Sequence, residues 1–179
     1  SQAASAARGL ASLPDNTPAL LTTADHALLR PAMIDELLND TGCDLSVGLV
    51  EYAAVRAAFP DGRRTAIRLG SGAGYCGCNL FAVHSAGAHQ LIAQWQRVEA
   101  QRKHPARVIA GMLGPMAIVR YLLRRLTLTD AFARLSTRSG LNIRPVILSD
   151  VEAAVDVDTP ADLALVESIL GRRDSVPAD

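Results

Sequence analysis

The chain has 179 residues, enough for one domain to bury its own core without disulfide or metal staples. Hydrophobic residues make up 49% and aromatics only 4%, which favours a helix-rich α/β protein over a sandwich of aromatic strands. The 18 Lys and Arg balance 18 Asp and Glu, so neither nucleic acid nor an anionic membrane is expected as the main partner.

Residues 2–13, mostly Ala and Leu, predict a helix that stops at "PDNTP", a run of strong breakers. "ALLTTA" reads as a short buried strand that ends in Asp25 and His26. Pro31 suits the first turn of the helix "PAMIDELLND", which Gly42 closes. "DLSVGLVEY" is a second strand. "TAIRL" and "YCGCNLFAV" have strand character, and "GSGAG" between them predicts a turn. No helix follows that glycine run directly, so it is not read as a phosphate cradle.

Residues 85–103 predict a long helix with Leu91, Ile92, Trp95 and Val98 on one buried face, and with Arg102 and Lys103 at its negative end. "ARVIAGMLG" and "PMAIVRYLLRRL" follow as helices, the second started by Pro115. "LTDAFARLSTRSG" is a further helix, with Thr129 as its expected cap and Gly140 as its stop. "IRPVIL" and "AAVDV" predict strands, and "TPADLALVESILGRR" the last helix. The alternation implies one α/β domain over 1–171, an open, mostly parallel sheet with helices on both faces. Residues 172–179 are expected to be a frayed tail.

Cys43, Cys76 and Cys78 form no disulfide framework, which points to reduced thiols and a cytoplasmic setting. Cys76 and Cys78 lie two apart on a strand and face the same side. No second pair completes a zinc site, so they read as small buried hydrophobes. No apolar run is long enough to span a membrane, and no signal-peptide pattern opens the sequence.

Two stretches share a layout. After "ALLTTA" comes Asp25, and after "AAV" come Asp156 and Asp158; each time a proline then launches a helix. Ligands of open α/β sheets bind at strand carboxyl ends. Acids from two distant strands that meet there require a cation between them, and oxygen-only ligands suit Mg2+ with substrate phosphates. Helix capping by Asp158 or Thr159 explains the second stretch equally well, and Asp162 suits the positive end of that helix. His26 reads either as a phosphate or metal-water contact or as a surface residue at a helix entrance. Arg63, Arg64 and Arg68 are either acceptor-phosphate contacts or a solvated strand edge.

"SAARGL…PALLTTADHALLRPAMIDELL", "GCNLFAV" and "VDVDTPADLALVESIL", in that order, resemble the nucleotidyltransferases related to the molybdenum-cofactor guanylyl- and cytidylyltransferases, the MobA-like NTP transferases. The resemblance runs from about residue 1 to residue 171. It implies the Rossmann-like fold of the nucleotide-diphospho-sugar transferases, with Asp25 as the Mg2+ ligand and Asp158 as a second ligand. It also places Ser5 near the nucleotide base and Asn79 on the acceptor side. The implied reaction moves a nucleoside monophosphate from GTP or CTP to a small phosphorylated acceptor and releases pyrophosphate.

The family's opening strand and glycine-rich triphosphate loop are not found in the 179 residues. The expectation is a C-terminal two-thirds of such an enzyme, with a sheet edge left for a second copy or the missing segment to cover. Two other readings stand beside it. One is an inactive remnant that binds a nucleotide or a protein, and the other is a glycosyltransferase of the same fold.

Overall fold

The structure, a computed structural model, describes residues 2–14, 17–39, 42–62, 64–70, 72–99 and 113–175. Its elements run α1 (Gln2–Ala11), β1 (Ala19–Thr22), α2 (Pro31–Leu38), β2 (Leu45–Glu51), α3 (Tyr52–Ala58), β3 (Ala66–Leu69), β4 (Ala73–Val83), α4 (Ala86–Glu99), α5 (Pro115–Leu122), α6 (Leu128–Ser139), β5 (Ile143–Ile147), a 3-10 turn (Val151–Ala154) and α7 (Pro160–Asp174).

The expected α/β class, single sheet and helical cover on both faces are all present. On one face Val50, Cys76, Cys78, Leu80 and Ala82 pack against Met33 and Leu37 of α2 and Val55 of α3. On the other, Leu45, Val83 and Ile143 pack against Leu10 of α1, Ala88 and Ile92 of α4, and Phe132 and Leu135 of α6. The alternation along β4 follows from the period of a strand, which sends neighbouring side chains to opposite faces. Leu91 and Ile92 join the core as expected. The side chains of Trp95 and Val98, together with Arg102, Lys103 and most of "ARVIAGMLG", lie outside the described residues.

The strand directions differ from the expectation of a mostly parallel sheet. The order is β1-β4-β2-β5, and only β2 and β5 run parallel. β4 is antiparallel to β1, β2 and β3. For β3 and β4 the reason is local: Gly70 (φ 61°) and Gly72 (φ 148°) allow the reversal that turns β3 back into β4, so no crossover helix intervenes.

β2 pairs with β4 along one side, from Tyr75 to Val83. The other side of β4 is shared by two short strands placed end to end. β1 pairs with Leu80–Val83 and β3 with Ala73–Cys76. Residues 77–79 therefore have no strand partner on that side. The β2–β4 register shifts between Val47 and Leu49, and Asn79 takes the left-handed backbone at φ 50°. This irregularity re-aims side chains at the interrupted edge.

Three local expectations are corrected. "AAVDV" is not a strand: the Asp150 side chain caps the Glu152 amide, Val151–Ala154 close a 3-10 turn, and 155–158 run on irregularly. α6 is capped by Thr127 rather than Thr129, because Asp130 completes a reciprocal capping box with it, while Gly140 stops the helix in the αL conformation as expected. The last helix runs to Asp174, one residue past the expected Arg173, so residues 172–174 belong to it rather than to the expected tail.

Candidate functional site

The interruption beside β4 is where the two acidic stretches meet. Beyond β1, the Asp25 carbonyl accepts a 3.1 Å hydrogen bond from the Val157 amide, which sets Asp25 against the segment carrying Asp156 and Asp158. The preceding residue, Val155, is fully buried with Leu28, Val166 and Ile169. This apolar anchor fixes the direction in which the acids leave the core.

α7 then starts with a capping box. The Asp162 amide donates to the Thr159 hydroxyl, and the Asp162 carboxylate accepts from the Thr159 amide at 2.9 Å. Pro160 fills the first turn, where its lack of an N–H costs nothing. The capping role weighed for Asp158 therefore belongs to Thr159, and Asp158 stands one residue outside the helix, exposed.

Asp156 is the hub. Its Oδ2 accepts from Asn79 Nδ2 at 3.4 Å, and its Oδ1 lies 3.9 Å from Arg64 Nη1. Burial pushes its carboxyl above the usual carboxylate range, and the negative charges of Asp158 and Asp25 push the same way against Arg64. Arg64 is itself buried, 7% exposed, and its main partner is Asp162 at 2.6 Å. Burial alone would raise Asp162, but the bonds from Thr159 and Arg64 outweigh it and hold that carboxyl below its ordinary value.

His26 is buried directly after Asp25, and its Nδ1 lies 3.3 Å from the Thr22 hydroxyl. Burial lowers its pKa, while Asp156 and Asp25 pull it upward. The structure thus gathers Asp25, His26, Asn79, Arg64 and Asp158 at one edge of the sheet. Arg64 is neither a solvated edge residue nor an exposed phosphate contact, since it is enclosed in an internal ion pair. Arg63 lies outside the described residues. Ser5 is exposed on α1.

Several buried side-chain atoms in this region have no hydrogen-bond partner: Thr23 Oγ1, Asp25 Oδ1, His26 Nε2, and Arg64 Nε and Nη2. Among the described residues, His84 Nε2 is the other such atom. Unpartnered buried groups cost about 1–3 kcal/mol each, so their concentration at one edge is unusual.

Sequence reasoning noted Asp156 only as one of two strand-end acids and missed its central place. The "VDVD" alternation carried the signal, since it sets Asp156 and Asp158 apart from the valines that pack inward. The pairing of Asp162 with Arg64, 98 residues away, has no sequence signature. Cys76 and Cys78 are buried in the core as small hydrophobes, with Cys78 pushed up to about 12 by burial. No described helix is long and apolar enough to cross a membrane.

The chain is similar to a solved structure described as a hypothetical transferase from Thermus thermophilus, with 29% sequence identity and a TM-score of 0.72. The similarity covers 87% of this chain and 66% of that one. No protein-family model and no curated protein matches the chain.

Proposed function

We propose that the chain is a transferase domain of the nucleotidyl-transferring kind, moving a nucleoside monophosphate from GTP or CTP to a small phosphorylated acceptor with release of pyrophosphate. The observation that carries this reading is the bond from the Val157 amide to the Asp25 carbonyl, which brings acids from two distant segments to one sheet edge among unpartnered buried polar atoms. The similarity to a hypothetical transferase supports the broader class.

The donor set suits Mg2+. Asp25 has a buried carboxylate oxygen without a partner, and Asp158 is exposed and released from capping. Among the described residues no three His, Cys, Asp or Glu side chains group as a ready metal site. One or two carboxylates, together with waters and substrate phosphates, are the usual ligands of Mg2+. When bound there, the ion would neutralise charge that develops on the phosphate oxygens.

The chain's own residues do the rest by position. Asp25 and Asp158 would hold the ion, and His26 would orient a phosphate. Asn79 fixes Asp156 on the acceptor side. Ser5 and Arg63 remain proposed nucleotide contacts through the resemblance alone. No side-chain nucleophile is required, because the acceptor's own oxygen attacks phosphorus.

Calorimetry with GTP and CTP, with and without Mg2+, tests binding, and 31P NMR of the products tests chemistry. Release of pyrophosphate is expected. A nucleoside diphosphate product would instead indicate glycosyl transfer from a sugar nucleotide. Nucleotide binding without turnover would favour a binding module.

A further inference from the structure

Two helices of this protein begin with the same device. α6 has the capping box Thr127–Asp130 and α7 has Thr159–Asp162, and in each an arginine from elsewhere pairs with the box's aspartate. The two arginines are used differently. Arg120 meets Asp130 at 2.8 Å, its side chain is 38% exposed, and among the described residues it has no further acid as an ion-pair partner. Arg64 meets Asp162 at 2.6 Å, is 7% exposed, and extends to Asp156 at 3.9 Å.

Arg64 is also held at a cost. Its Nε and Nη2 are buried without partners, so stability alone does not account for enclosing it here. What the enclosure achieves is a chain of contacts, Thr159–Asp162–Arg64–Asp156–Asn79, running from the first turn of α7 to the irregular point of β4. Asp158 lies in the sequence between two members of that chain, Asp156 and Thr159.

We infer that Arg64 is a positioning residue: by clamping Asp162 and Asp156 it sets where the 156–158 segment stands relative to Asp25, and so presets the gap in which a divalent cation is held. The inference rests on the cation reading above. It differs from a phosphate-contact role, because the guanidinium is spent on two internal carboxylates. Both contacts are made by Nη1, and a lysine would end its charge one bond short of that nitrogen.

Mn2+ alone is the probe, with free ion measured by electron paramagnetic resonance on the whole 179-residue chain and its variants. Arg64→Gln and Arg64→Lys are both expected to weaken Mn2+ binding by about 10-fold or more, the usual effect of losing a group that orients a ligand. Arg120→Gln breaks the equivalent contact at α6 and is expected to lower thermal stability while leaving Mn2+ affinity unchanged. Arg64 variants that bind Mn2+ as tightly as the unaltered chain, or more tightly, would overturn the positioning role and leave Arg64 as a mere counter-charge. Loss of Mn2+ binding in Arg120→Gln as well would also overturn it, by showing a general response to destabilisation. If the unaltered chain bound no Mn2+, the cation reading would fall and this inference with it.

Discussion

The Asp25 carbonyl and the Val157 amide, 132 positions apart in the chain, are joined by a 3.1 Å hydrogen bond. Because both partners are backbone groups, side-chain substitutions at residues 25 and 158 leave the junction itself in place. Asp25→Asn is therefore expected to keep the fold and melting temperature while reducing nucleotide-dependent pyrophosphate release by about 10²-fold or more. Circular dichroism melts beside a pyrophosphate assay check it, and unchanged turnover would remove Asp25 from the chemistry.

The competing explanations of Asp158 separate cleanly. Thr159→Ala removes the cap of α7 and is expected to cost about 1 kcal/mol, a fall of roughly 2–4 °C in melting temperature. Asp158→Ala, at an exposed position outside the helix, should stay within about 0.5 kcal/mol of the parent. Denaturant unfolding of the two variants side by side measures both. A larger loss for Asp158→Ala would return it to a structural role.

His26 makes stability depend on pH in a defined direction. Burial holds its pKa below the ordinary 6.5, so the folded state binds the proton less readily than the unfolded chain. The stability this contributes is fully present above about pH 6.5 and is lost as pH falls through the lower folded value. Replacing His26 with Asn should flatten that part of the profile. Urea midpoints taken at several pH values below neutrality report it.

The cysteines should differ in reactivity. Cys76 and Cys78 are buried, burial raises both pKa values, and Cys78 reaches about 12, whereas Cys43 is partly exposed. Since the thiolate is the reacting species, native protein should alkylate at Cys43 and hold the other two until it unfolds. Peptide mass mapping after iodoacetamide treatment, with and without denaturant, reads this directly.

Most elements were legible in the sequence because their signals are local. Proline at a first turn marked α2, α5 and α7, glycine in αL conformation closed α6, and the glycine run marked the β3–β4 turn. Strand direction was legible only in part. The glycine run implies that β4 reverses against β3, but whether β4 lies parallel or antiparallel to β1 and β2 depends on how those strands stack, and nothing in "YCGCNLFAV" encodes that. The "AAVDV" error has the same origin: apolar residues that bury against α7 look identical to a strand until the Asp150 cap closes a turn before them. At the site, Asp25 and Asp158 could be nominated from their positions after apolar runs. The burial of Arg64 and the central place of Asp156 arise from contacts across 98 and 77 positions, which no local pattern announces.

The split border of β4 has a consequence for how the molecule behaves in a crowded solution. β1 and β3 are four residues each and meet β4 at separate places, so the outer rim they form is broken midway. An incoming extended chain finds two stubs instead of one continuous row of amides and carbonyls, and lengthwise stacking into fibres gains no purchase there.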